Sequence, residues 1–193
     1  MAQSSTTISS QKDFVSAITV TEGLTYTASS KRISATSTTV SGSGKLAVRD
    51  TFTTNSATNP GPFTVATVAS DNLSVTVEET VADESPDGST ASTVTYTGFV
   101  TDKYQGDGYY SQTDGVHTVA YHVLATLTGS IKMQGSLATT PTEADWFDIA
   151  DTTFTTDQST TIFSANFTGN FVWVRAKTTE TTAGSVMKIL YNH

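Results

Sequence analysis

Leu73-Ser74-Val75-Thr76-Val77 alternates apolar and hydroxyl side chains, the two-residue period of a strand with one face buried and one wet. Runs of strand-like character follow one another along the chain, at 14–20, 45–52, 63–68, 73–77, 92–100, 116–127, 130–134, 161–168, 170–177 and 185–191. No stretch sustains the 3.6-residue apolar period of an amphipathic helix. Phe171-Val172-Trp173-Val174 is apolar on both faces, which predicts a central or covered strand and assigns Trp173 to the core. The connections carry turn chemistry: Asn59-Pro60-Gly61-Pro62, Ser85-Pro86-Asp87-Gly88, Gly106-Asp107-Gly108, Asp114-Gly115 and Gly169-Asn170. Strands joined by such turns pair antiparallel. One exception is expected at 141–147, where Pro141 followed by Glu143 and Asp145 suits the first turn of a short helix.

The pattern predicts an all-β chain built of antiparallel β-sandwiches, jelly-roll-like, in two stacked β domains. Large apolar and aromatic residues become more frequent after 101–108, so the expected division is an N-terminal β domain or attachment region at 1–105 and a C-terminal β-sandwich module at 106–193. No internal repeat of solenoid or propeller type is found. The polar N-terminal segment would fray unless tied down, and a neighbouring subunit is the expected tether.

Composition sharpens this picture. The chain holds 40 Thr and 23 Ser in 193 residues, and β-branched Thr favours strands. Disorder is the rival reading, but 36% hydrophobic residues, with nine Phe, seven Tyr and two Trp, suffice for a core. The formal charge of -8 and scattered basic residues argue against a broad nucleic-acid or anionic-membrane surface. With no cysteine, neither disulfides nor a thiolate zinc site can form. A basic segment followed by an apolar one is missing at the N-terminus, and no apolar run is long enough to span a bilayer as a helix, so synthesis in a cytoplasm without signal-directed export or membrane insertion is expected.

Several segments of the C-terminal half together resemble a β-sandwich module of virion structural and tail-fibre-like proteins of marine tailed phages, cyanophages among them. They are 108–119, 129–139, Asp145-Trp146-Phe147-Asp148-Ile149, 167–176 and Lys188-Ile189-Leu190-Tyr191-Asn192-His193. The resemblance covers about 106–193. It implies a non-enzymatic structural protein of a virion, made in the host bacterial cytoplasm, with other virion proteins as partners and a homo-oligomeric, by analogy trimeric, state. A tail, baseplate or fibre place is expected first; capsid decoration or a carbohydrate- or receptor-binding module that contacts a host surface glycan is the alternative.

Candidate chemistry is sparse. His117 and His122 lie in one expected strand at odd spacing and point to opposite faces, so they cannot share a metal and read as sheet residues. Asp145, Asp148 and Asp151 are a weak calcium candidate, because the run lacks the regular oxygen-ligand loop, and a solvated turn is the simpler reading. Asp102, Asp107 and Asp114 are more loosely spaced, and Glu78-Glu79 point to opposite sides of a strand. No nucleophile-elbow, phosphate-loop or zinc-protease motif occurs, and no cofactor is expected. Tyr104, Tyr109, Tyr110 and Trp146 are the expected partner-contact residues, since loop aromatics stack on sugars or fill interfaces. The sequon at Asn166 reads as chance.

Overall fold

The computed structural model describes residues 5–86, 90–107, 109, 115–157 and 159–192, with backbone alone at 180. The chain is all-β and antiparallel. It forms two compact units, Met1–Phe14 with Val100–His193, and Val15–Phe99.

In chain order the strands are β1 (Ser5–Ser9), β2 (Lys12–Asp13), β3 (Ile18–Val20), β4 (Thr25–Thr27), β5 (Arg32–Ser34), β6 (Asp50–Thr54), β7 (Phe63–Val68), β8 (Ser74–Val77) and β9 (Ser92–Phe99). There follow β10 (Tyr104–Gln105), β11 (Val116–Val123), β12 (Thr128–Ser136), β13 (Phe147–Asp148), β14 (Phe154–Thr155), β15 (Ile162–Thr168), β16 (Trp173–Ala183) and β17 (Ser185–Asn192).

The first unit is a sandwich of two sheets, ordered β1-β17-β11-β15 and β10-β16-β12-β13, with β2 added on β17 and β14 on β12. Along the chain, β1, β11, β15 and β17 fall in one sheet and β10, β12, β13 and β16 in the other. Strand order and sheet assignment together are those of an eight-stranded jelly roll. The expected division at 105/106 does not hold in this architecture. The first strands bond to the last, Thr6↔Tyr191 and Lys12↔Val186, so both ends of the chain close one unit and Val15–Phe99 is inserted between β2 and β10. From Ser5 onward the N-terminal segment is therefore held by the chain's own β17, in place of a neighbouring subunit.

Alternation places His117, Val119, Tyr121 and Val123 of β11, Ile131 and Met133 of β12, Val174 and Ala176 of β16, and Ile189 and Tyr191 of β17 in the core of this unit. Each large apolar side chain so buried contributes about 1.5–3 kcal/mol. Phe154, Phe167 and Phe171 fill the space between the sheets, and the Tyr121 hydroxyl donates to the Thr152 carbonyl at 2.9 Å. Gly106 lets β10 approach: a Cβ there would stand 2.5 Å from the Phe171 carbonyl oxygen. Gly184, at φ +84, makes the one-residue crossing from β16 in one sheet to β17 in the other.

The inserted unit is a seven-stranded antiparallel sheet, ordered β3-β9-β6-β7-β8-β5-β4, with register shifts at Thr51/Phe52 and Val65/Thr67 that bend it. Phe52 and Phe63 pack at 5.6 Å between ring centroids. Glu22 clamps a loop by accepting the Ser37 and Thr38 N–H groups at 2.8 and 2.7 Å, which holds its carboxyl well below the usual range.

Several expected runs are trimmed, among them 14–20, which is strand only from Ile18, and 170–177, which is strand only from Trp173. The run at 45–52 becomes strand only from Asp50, and the run at 116–127 ends at Val123, where a turn closed by Leu127 N–H to the Leu124 carbonyl leads into β12. The helix expected at 141–147 is a single 3₁₀ turn, Glu143–Asp145, whose capping box between Thr142 and Asp145 satisfies its start. No helix among the described residues is long and apolar enough to cross a membrane.

Candidate functional site

On β16, Trp173, Arg175 and Lys177 share the face opposite the buried Val174, Ala176 and Thr178. The register sets Ser136, Gln134 and Lys132 of β12 directly beside them, and Asp148 of β13 beside Gln134. The outer face of this sheet is thus a charged and aromatic surface. Arg175 is its hub. Its two terminal nitrogens donate to Glu143 at 2.6 and 2.8 Å, Nε donates to Gln134 Oε1 at 2.9 Å, and the guanidinium lies 4.3 Å from the Trp146 ring centre. The side chain is only 4% exposed, so the turn carrying Glu143 and Trp146 covers it. Gln134 passes the network on to Asp148 at 2.9 Å, and Lys132 meets the other Asp148 oxygen at 2.5 Å. Burial raises the Asp148 carboxyl, but Lys132 and Gln134 outweigh it and hold the group below its ordinary value. Burial, with Arg175 close by, lowers the Lys177 ammonium.

Beside this closed network lies a more open shelf. Trp173 is half-buried, with its indole N–H donating to the Thr139 carbonyl at 3.0 Å, Tyr109 against it at 5.1 Å and the Lys103 ammonium 4.5 Å over its ring. The core assignment of Trp173 is therefore corrected: its cross-strand neighbours are Ser136 and Gln105, on the outer face.

The structure separates the expected contact residues. Tyr109 is 48% exposed on the shelf, whereas Trp146 is a cover for Arg175. Tyr104 is half-buried beside Val174, and burial with nearby Asp102 raises its hydroxyl. Tyr110 lies outside the described residues. The calcium candidates do not assemble. Asp145 accepts the Thr142 N–H and hydroxyl, both at 2.7 Å, Asp148 serves the network, and Asp151 occupies a turn at φ 60. Among the described residues no group of three or more His, Cys, Asp or Glu is placed to hold a metal. Asp102 is exposed and Asp107 buried, while Asp114 lies outside the described residues. Glu78 pairs with Arg49, and Glu79 accepts the Thr64 N–H at 2.7 Å.

His117 is fully buried between the sheets. A carbonyl can only accept, so Nε2–H donates to Gly169 O at 2.9 Å and Nδ1 accepts from the Tyr191 hydroxyl at 2.8 Å. Its ring stacks on Phe167 at 5.0 Å. Both nitrogens are committed, which makes it a core residue. His122 faces outward beside Ile162 and Lys188.

Sequence reading missed two features. One is the Arg175 hub, whose signal was the i, i+2 series Trp173, Arg175, Lys177. The other is the edge of the β1-β17-β11-β15 sheet at β15, with Ile162, 58% exposed, at one end of the strand and Val116 of β11 and Phe147 of β13, 46% and 44% exposed, at the other end. A cleft of about 380 Å³ lies beside it, lined by Val116, Phe147, Asp151, Asn166, Thr168 and Phe171 among others. No protein-family model matches the chain, and no curated protein matches its sequence.

Proposed function

We propose that the protein is a non-enzymatic structural subunit of a tailed-bacteriophage virion, in its tail, baseplate or fibre, acting through assembly with other virion proteins and with copies of itself. The observation that carries this reading is the uncharged β15 edge with exposed large apolar side chains at both ends, Ile162 at one and Val116 with Phe147 at the other, on a surface otherwise rich in Thr, Ser and Asn. Long, uncharged strand edges flanked by apolar side chains are surfaces that pair with other chains. The jelly roll supports it by analogy, being common in viral capsid proteins, though also in lectins and cupins. The resemblance of 106–193 to phage tail-fibre-like modules points the same way. Glu143, Asp145 and Asp148, the acids of the neighbouring network, are taken up by Arg175, Thr142 and Lys132, which favours a bracing role over acid-base chemistry there.

Mass spectrometry of purified particles from the source culture tests this: the chain is expected in fixed stoichiometry with other tail proteins. Its presence in the soluble lysate alone contradicts the reading, and stoichiometry with the capsid protein turns it to decoration. A second reading, glycan or receptor binding, is favoured by the shelf of Tyr109, Trp173 and Lys103, where flat rings and a cation meet solvent. Glycan-array binding that Trp173→Ala abolishes selects it.

A further inference from the structure

Among the described residues β15 has β11 as its one strand neighbour. The ladder runs without a register shift from Val116↔Thr168 to His122↔Ile162. Its phase is fixed at both ends, by Val123 N–H to the Thr161 carbonyl and Gly169 N–H to the Gly115 carbonyl, each at 2.9 Å. Alternate residues of an antiparallel strand turn both backbone groups to the same side. Phe163, Ala165 and Phe167 therefore bond to β11, and Ile162, Ser164, Asn166 and Thr168 present their N–H and C=O groups outward.

Edges that remain in water are usually blunted by Lys, Pro, a bulge or an inward charge. Ile162-Phe163-Ser164-Ala165-Asn166-Phe167-Thr168 has no charged residue, no Pro and no bulge. It is a regular, uncharged edge beside a cleft lined by both apolar and acidic side chains.

We infer that a second copy of this chain docks on this edge, β15 pairing antiparallel with β15 of the other copy about a two-fold axis at Ala165. The outward-facing residues are symmetric about that position, so Ile162 stands opposite Thr168 of the second copy and Ser164 opposite Asn166. A second copy fits for two further reasons. Ile162, 58% exposed, is carried to the end of the strand where Val116 and the cleft containing Phe147 lie, so the pairing covers all three exposed side chains in both copies. Charge is complementary as well, because the end of the sheet bearing Lys188, near Ile162, meets the end where Asp151 lines the cleft. In a chain of net charge -8, an uncharged contact strand is where like copies repel least.

This contact rests on the assembly reading but is decided by a different experiment, in solution and without particles. Light scattering after size exclusion is measured on the full chain and on Ser164→Pro and Ile162→Lys, over a dilution series from about 200 to about 2 μM, where interfaces of ordinary size dissociate at their weakest. Proline at 164 removes an outward N–H and leaves the β11 ladder intact. The wild-type chain is expected at twice 20.4 kDa, or at an even multiple, and both variants at half the wild-type mass with an unchanged far-ultraviolet spectrum. If Ser164→Pro fails to fold, Ile162→Lys alone decides. A wild-type monomer, a trimer, or an even assembly that Ile162→Lys leaves intact overturns the proposal.

Discussion

On the outer face of the β10-β16-β12-β13 sheet, Arg175, Lys177, Lys132, Asp148 and Glu143 form a network that a turn of the same chain covers with Trp146. On the outer face of the β1-β17-β11-β15 sheet the neighbours include Thr118, Asn166, Ala120, Ser164 and Leu190, with a neutral side-chain bond from Thr118 to Asn166 at 2.9 Å. Both sheets send the same kind of alternating side chains inward. They differ in where polar capacity is spent: the first satisfies its charges within the chain, and the second ends in an uncharged strand whose outward backbone groups have no strand neighbour among the described residues. A buried charge must be paired where it stands, whereas an edge can wait for another chain.

The comparison is broken most severely at its hub. Glu143→Ala leaves the Arg175 guanidinium 4% exposed without its carboxylate, and is expected to cost about 3 kcal/mol, or about 9 °C in Tm, by calorimetry. Replacing both members together, Arg175→Met with Glu143→Leu, is expected to restore most of that loss, since no unpaired charge remains.

Alkaline pH probes the core that the two sheets share. Burial raises the hydroxyls of Tyr121 and Tyr191 above their ordinary value of 10.0, helped at Tyr191 by the Asp107 charge. Above pH 10 the unfolded chain releases these protons first, so stability is full below pH 10 and falls as pH rises towards the raised folded values. The slope is about 1.4 kcal/mol per pH unit for each tyrosine. Urea melts at pH 9, 10 and 11 check this, and equal midpoints at all three would contradict it.

Smaller effects sharpen the contrast. Trp146→Ala removes the ring over Arg175 and is expected to cost about 1 kcal/mol. Asn166→Ala, on the plainer face, is expected to stay within about 0.5 kcal/mol in the same melts.

Much of the strand pattern was legible. The alternation of Leu73–Val77 became β8, and the runs at 92–100 and 185–191 became β9 and β17, because each has one face that must be buried. Strands of two or three residues, such as Thr25–Thr27 and Tyr104–Gln105, are too short to show a period, and their pairing comes from the partner strand. The insertion was not legible either, because the pairing of Ser5–Ser9 with the last strand spans nearly the whole chain and leaves no local trace. Trp173 and His117 show the same limit at single residues. The indole lies outward because Ser136 and Gln105 flank it, and the imidazole is buried because Tyr191 and Gly169 satisfy both of its nitrogens. The three acids at 145, 148 and 151 looked like a cluster in one dimension, but Asp145 bonds to Thr142, Asp148 to Lys132 and Gln134, and Asp151 sits in a separate turn.

Hydrogen exchange read by mass spectrometry at high and low protein concentration tests most directly whether one sheet is closed on itself and the other left open for assembly. Peptides covering Ile162–Thr168 are expected to gain protection at the higher concentration, because four outward N–H groups become bonded, while peptides covering 173–177 exchange at the same rate throughout. Protection gained at 173–177 with none at Ile162–Thr168 would place the contact on the wrong sheet and contradict the account.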